Sequence, residues 1–310
     1  MIDLIIPHYN NPEGLARTLN SINSEVFKVT IVDDCSTNCP LCPIEAQVFL
    51  LNKNGGPGNA RQFGIDHTTN DFIMFIDAGD IFLSQEIQWK ILEEVERHPQ
   101  SNLFSWLYYY KEHLTQHTDN RLHGKVYRRA FLKEYGITFC PESSYMNEDI
   151  GFNRTCKLII EQKHLLQIRV DIPIIHWIED RESLTQKDDQ VALYRDQTRA
   201  LSLVSIHTIE TCNKNNINAQ EEINQIAMAL YYWFIRTAAE RIEFLPQAWA
   251  GAKIFYTKYK KEIKPNKLIS GNGFLKRCLI YRRKINFPIN VLRFAHEILI
   301  EENLPSYYLT

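Results

Sequence analysis

"FIMFIDAGD", residues 72–80, runs apolar through Ile76 and then ends on two carboxylates, Asp77 and Asp80. Asp and Gly stop strands and open turns, which is reason enough for either acid alone. Acids at the carboxyl end of a parallel strand imply more, because open α/β sheets bind ligands along that edge. The flanking sequence puts the stretch in such a sheet. "IDLIIPHYN" (2–10), "KVTIVDDCS" (28–36) and "AQVFLLN" (46–52) are short apolar runs that read as buried strands. Between them, "NPEGLARTLNSINSE" (11–25) has Leu15, Leu19 and Ile22 at helical spacing, with Asn11 as N-cap before Pro12. "GNARQFGIDHT" (58–68) reads as a second helix, a third follows from about Ser84 to Arg97, and "SNLFSWLYYYKE" (101–112) reads as a strand. The alternation predicts an α/β fold, a mainly parallel sheet with helices on both faces.

Beyond about residue 190 the pattern changes. "QVALYRDQTRALSLVSIHTIETC" (190–212) and "AQEEINQIAMALYYWFIRTAAERIEF" (219–244) keep a 3.6-residue period with no strand alternation between them. The division expected is an α/β domain over 1–188 and a helical region over 189–310. The apolar run "IAMALYYWFI" (226–235) suits a core helix or a homodimer face, and is too short for the ~20 residues of a membrane span. "MIDLIIPHYN" has no basic segment before its apolar run and Pro7 interrupts that run, so no secretory signal is read there. Seven cysteines in 310 residues suggest a reducing, cytoplasmic setting, in a bacterium or a phage-infected host. Cys35, Cys39 and Cys42 have the C-x3-C-x2-C spacing of an iron–sulfur site, but their place in a turn after "VDD" favours free thiols.

The net charge of −2 conceals an asymmetry: residues 251–293 hold 12 of the 35 Lys and Arg against one acid, Glu262. Aromatics interleave with the bases in "KYKKEIKPNK" and "KRCLIYRRK". A solvated helical face accounts for such a segment, as does a polyanionic partner. An anionic membrane surface would suit a membrane-peripheral position; DNA would suit neutralisation of its phosphates by these bases. At the other end of the chain, Asp33, Asp34, Asp77 and Asp80 converge on one sheet edge. They would repel one another unless a cation or hydrogen-bond donors offset them. Mg²⁺ held by one or two carboxylates and by phosphate oxygens is one such offset.

Five blocks carry a resemblance: "IIPHYNNPEGLARTLNSI" (5–22), "TIVDDCST" (30–37), "NKNGGPGNARQFGI" (52–65), "DFIMFIDAGD" (71–80) and "HGKVYRRAFLKEYGITFCPESSYMNEDIGFN" (123–153). In this order they resemble family 2 glycosyltransferases over roughly residues 2–187. The resemblance implies a GT-A fold, a nucleotide-sugar donor (a UDP-sugar favoured), Mn²⁺ or Mg²⁺, and inversion at the anomeric carbon. It places Pro7, Tyr9 and Asn10 beside the nucleotide. It gives one of Asp33 and Asp34 the base, closes Asn54, Gly55, Gly56 and Arg61 over the nucleoside, and assigns Asp77 to the diphosphate and metal. Asp149, in "NED", corresponds to the general base, with Glu148 at an acceptor hydroxyl or serving only as a helix N-terminal acid. Gly79 stands where the family usually has a metal-binding acid, so the metal is expected on Asp77 and Asp80, with His176 from "PIIHWIEDRESLTQ" (173–186) as a further ligand or a diphosphate contact. Arg181 of that segment is a second diphosphate candidate, and His123 and Lys125 are expected on the acceptor side. A saccharide or a lipid-linked glycan, suited by an anionic membrane surface, is the acceptor favoured, with a hydroxymethylated base in DNA, of the kind some phages modify, as the alternative. Gly79 also admits an inactive, sugar-nucleotide-binding scaffold.

Overall fold

The computed structural model describes residues 1–38, 46–110, 112–117, 120–143, 145–178, 191–264 and 291–306. The chain divides into two compact units, Met1–Gln186 and Lys187–Thr310.

The first unit is built on one sheet. Its strands are β1 (Ile2–His8), β2 (Phe27–Asp33), β3 (Gln47–Leu50), β4 (Phe72–Phe75), β5 (Ile81–Phe82), β6 (Leu103–Tyr110), β7 (His113–Leu114), β8 (Lys125–Arg128) and β9 (Gln167–Trp177). Its helices are α1 (Pro12–Ser21), α2 (Pro57–His67), α3 (Gln85–Arg97), α4 (Arg129–Glu134) and α5 (Glu148–Lys163). The strand order is β3-β2-β1-β4-β8-β6-β9-β5, with β7 paired to β6 outside that path. The half from β3 to β4 is parallel, as the βα rhythm predicts. The other half is mixed: β8 runs antiparallel to both β4 and β6, whereas β9 is parallel to β6.

The strand sequences are explained by burial on both faces. Ile2, Leu4 and Ile6 of β1 point into a core shared with Leu15 of α1 and with Ile91, Leu92 and Val95 of α3. Ile5 points the opposite way, onto α2; a Cβ on Gly64 would lie 2.5 Å from Ile5 Cγ2, so only glycine lets that helix sit so close. Phe75 of β4 packs edge-on to Phe139 and to Phe152 of α5 on this second face. Asp3 interrupts the apolar run of β1. It is buried, and is matched by Arg129 Nη2 at 2.8 Å and by two donors from Asn70. Asn11 caps α1 by accepting from Gly14 N at 3.0 Å, and Ser84 caps α3 by accepting from Ile87 N at 3.2 Å.

The second unit is helical among its described residues: α6 (Val191–Lys214), α7 (Gln220–Glu240), α8 (Leu245–Tyr259) and α9 (Val291–Ile300). The apolar run of α7 is largely spent inside this unit. Tyr231 and Phe234 pack on Phe294 of α9, and Phe234 also packs on Trp249 of α8. Most of the basic segment lies at 265–290, outside the described residues. No helix among the described residues is long and apolar enough to cross a membrane.

Candidate active site

Strand direction assembles the site. β1, β2, β4, β6 and β9 all point the same way, so their carboxyl ends share an edge. β8 points the opposite way, so the residues just before it arrive at that same edge. This brings His123 toward the "DAGD" turn. Gly124 makes the approach possible: its φ is +67° and a Cβ would lie 2.7 Å from the Trp106 carbonyl oxygen.

On one side of the edge lie the "VDD" acids, both buried and both engaged. Asp33 Oδ1 is 2.7 Å from His8 Nδ1 and accepts from Ser36 Oγ at 2.5 Å, while its Oδ2 accepts from Ser36 N at 2.9 Å. Asp34 accepts from Gly55 N at 2.8 Å and Gly56 N at 2.6 Å. It thereby fixes the loop that opens α2, where Gly56 has φ of +87°. Burial raises the Asp34 carboxyl above the usual range against the pull of those two N–H groups. Asn10, at φ of +48°, accepts from Thr37 N at 2.8 Å. Pro7 pairs with Val32 inside the sheet, and Tyr9 is half exposed beyond it. The Tyr145 hydroxyl lies 2.8 Å from Asn54 O and from Asn54 Oδ1, linking this loop to the segment before α5.

On the other side lie the "DAGD" and "NED" acids. Arg61, buried in α2, joins them: Nη2 donates to Asp77 Oδ1 at 2.6 Å and Nη1 to Glu148 Oε1 at 2.9 Å. Thr18 of α1 pins the turn from below, accepting from Gly79 N at 2.8 Å and donating to Asp80 O at 2.8 Å. His123 Nε2 lies 3.0 Å from Asp80 Oδ2 and 3.8 Å from Asp77 Oδ2. The other Asp80 oxygen accepts from Ile178 N at 3.1 Å. Asp77, Asp80 and His123 each offer a ligand atom, and these atoms all lie within 4.8 Å of one another. Two carboxylate oxygens and an imidazole nitrogen suit a divalent first-row cation. The Asp77 side chain keeps 40% of its exposure, so the group is open on one side.

The charges of the site act on one another. Burial pushes the Glu148 carboxyl up to about 7, with the neighbouring Asp149 adding to the effect and Arg61 opposing it. Burial also raises Asp149 and Asp80 above the ordinary carboxylate range. It would raise Asp77 too, but Arg61 and His123 outweigh it and Asp77 sits below that range. His123 moves upward, because Asp80 and Asp77 outweigh a burial that favours the neutral ring. Asp149, in the first turn of α5, feels Arg61 and His123. The left-handed Asn147, with φ of +61°, turns the chain into that helix.

Three positions differ from expectation. His176 is held in β9 opposite Ile81 with its ring against Tyr109, and it takes no part in the acid cluster. His123, expected on the acceptor side, stands in that cluster instead, because β8 is antiparallel. Lys125 is buried, its Nζ donating to Arg121 O at 2.5 Å and His123 O at 3.3 Å, so it shapes the loop carrying His123 and does not face an acceptor. Arg61 is an interior bridge between two motifs. His8 and Thr18 escaped the sequence reading; their one signal is a polar side chain where the apolar pattern calls for a core residue. Cys35 is an exposed free thiol with φ of +65°, while Cys39, Cys42 and Arg181 lie outside the described residues.

Residues 3–150 match the family model described as Glycosyl transferase family 2. Over these residues the chain is similar to family 2 glycosyl transferases. A segment of the chain is 31% identical over 90 residues to the poly(ribitol-phosphate) beta-N-acetylglucosaminyltransferase TarS of Staphylococcus aureus, covering 25% of this chain and 16% of TarS. Identity to the amylovoran biosynthesis glycosyltransferase AmsB of Erwinia amylovora is 26% over 186 residues, covering 54% of this chain and 58% of AmsB. The matched segments thus span less than two thirds of either relative. Among solved structures, S. aureus TarS 1–349 in complex with UDP-GlcNAc aligns with a TM-score of 0.66 at 17% identity, covering 99% of this chain and 91% of that one. The likeness shows the fold, a GT-A domain followed by a helical region. Within the matched residues, the "VDD", "DAGD" and "NED" motifs are the three acid groups described above.

Proposed function

We propose that this chain is an inverting, metal-dependent glycosyltransferase that moves a sugar from a nucleoside-diphosphate sugar to an acceptor hydroxyl. The observation that carries this reading is the placement of two acid pairs, Asp77/Asp80 and Glu148/Asp149, at one sheet edge with Arg61 bridging them. One pair faces the leaving group and the other the nucleophile. Asp149 takes the proton from the acceptor hydroxyl as its oxygen attacks the anomeric carbon, and a single displacement inverts that carbon. Its raised pKa makes it a stronger base than an exposed carboxylate. Arg61 holds Glu148 in place, and so holds the first turn of α5 and Asp149 with it. Asp77 and Asp80 would hold a divalent cation, which when bound offsets the charge that grows on the departing diphosphate. Asp33, Asp34 and the Asn54–Gly56 loop give the nucleoside a wall already fixed by internal hydrogen bonds.

A UDP-sugar is the favoured donor, supported by the UDP-GlcNAc held by the TarS structure. A saccharide or lipid-linked glycan is the favoured acceptor. TarS is named for a poly(ribitol-phosphate) acceptor, and an anionic chain of that kind suits the basic segment at 251–293. The test is a thermal-shift and nucleotide-release panel on the full chain with UDP-, GDP-, CDP- and dTDP-sugars, with and without Mn²⁺. A metal-dependent shift with one nucleotide, and release of that nucleotide on adding acceptor, is expected. A ligand at a hundredfold excess over its Kd should add ~2.7 kcal/mol of apparent stability. Binding without any turnover would overturn the catalytic reading in favour of a scaffold. No shift with any donor would overturn the donor site.

A further inference from the structure

We propose that His123 is a direct ligand of the divalent cation, supplying the donor that Gly79 cannot, and that this imidazole biases the site toward Mn²⁺ over Mg²⁺. The inference rests on the donor-site reading above and adds a ligand to it.

Gly79 is barred from the role by its backbone. Its φ of +122° is strained for any L side chain, and a Cβ there would emerge toward Arg17 and Asn11, whose side-chain nitrogens would be its nearest neighbours at 3.8 and 3.9 Å. The turn therefore offers two acids, and a further protein ligand would come from another element.

His123 is placed to be that ligand. It is more than nine-tenths buried, and its Nε2 faces both acids at once. One proton on Nε2 satisfies one carboxylate oxygen, whereas a dication among the three side chains offsets both carboxylates. The ring is held by stacking. It lies 5.2 Å from Trp177 at 25° and 5.1 Å from Tyr108 at 30°. Its Nδ1 has no hydrogen-bond partner among the described residues. With a cation on Nε2, the one proton of the neutral ring sits on Nδ1. The Lys125 ammonium holds the His123 and Arg121 carbonyls and keeps the loop in place. Mg²⁺ favours an all-oxygen shell, and affinity for nitrogen donors rises along the first transition row from Mn²⁺.

The test uses the full-length chain loaded with Mn²⁺ and UDP, read by pulsed EPR. A directly bound imidazole gives ¹⁴N modulation of the Mn²⁺ signal, and the wild-type protein should show it. The signal should disappear in His123→Asn and persist in His176→Asn. In competition, wild type should prefer Mn²⁺ to Mg²⁺, and His123→Asn should narrow that gap. Its Mn²⁺ affinity should fall by at least the ~10–100-fold that loss of an outer-shell partner costs. Because His123 is buried and stacked, the wild-type spectrum is decisive even if His123→Asn fails to fold. Bound Mn²⁺ without ¹⁴N modulation, or modulation lost in His176→Asn, would overturn the proposal while leaving the donor site standing. Failure of Mn²⁺ to bind with UDP present would remove both.

Discussion

Replacing Asp149 with Asn keeps the side-chain shape and removes the proton acceptor. Turnover should fall by roughly 10²–10⁴-fold while the donor still binds, measured as kcat beside a donor Kd. The pH profile carries a matching signature. A base works only when deprotonated, and burial raises the Asp149 pKa, so activity should climb with pH along a limb displaced upward from the ordinary carboxylate range. Gly79→Ala tests a different property. The space around the new Cβ is open, so the cost is the backbone strain of φ at +122°, about 1–3 kcal/mol in a denaturant titration. At this scale much of the site was legible. Asp33, Asp34, Asp77 and Asp80 stand out because acids follow apolar runs, whereas Asp149 comes only from the resemblance of its "NED" block. His123 was named but misplaced, since no local pattern says which cluster a residue will meet after folding.

Among the elements, α2 and α5 depend on one side chain. Arg61→Met would take from Asp77 and Glu148 the guanidinium they share, at a cost of about 3–5 kcal/mol by denaturation. Arg61→Lys should recover only part of this, because a single ammonium cannot fork to two carboxylates. Glu148 adds a pH dependence of its own. Its folded pKa of about 7 lies above the ordinary 4.5, so the folded chain holds that proton more tightly than the unfolded chain does. Its contribution therefore favours folding below about pH 4.5 and is lost as pH rises to about 7. Denaturation across that window should show the decline, and Glu148→Gln should flatten it. The parallel half of the sheet was legible because strands buried on both faces are continuous apolar runs. β8 was not: "KVYR" is four residues long with a charge at each end, and one of those charges, Lys125, is buried against carbonyl oxygens. Missing that strand meant missing its direction, and with it the arrival of His123.

Across the whole molecule, every residue assigned to the donor lies in the first unit. A UDP-sugar with Mn²⁺ should therefore slow hydrogen exchange at residues 33–37, 54–61, 77–80 and 121–123. Exchange in α7 and α8 should not change. Protection appearing in those helices instead would move the donor site. The helical unit was readable as helices from its period, whereas its role was not, since the basic segment that suggested an anionic partner lies mostly at 265–290. The Arg61 bridge has a last consequence, for descent. "DAGD" and "NED" are about 70 residues apart in the chain, yet they share one counterion. Whether a lineage tolerates a neutral residue at 148 then depends on what it carries at 77, so the two motifs cannot drift independently. Their histories of substitution should be correlated, with Arg61 as the hinge of that epistasis.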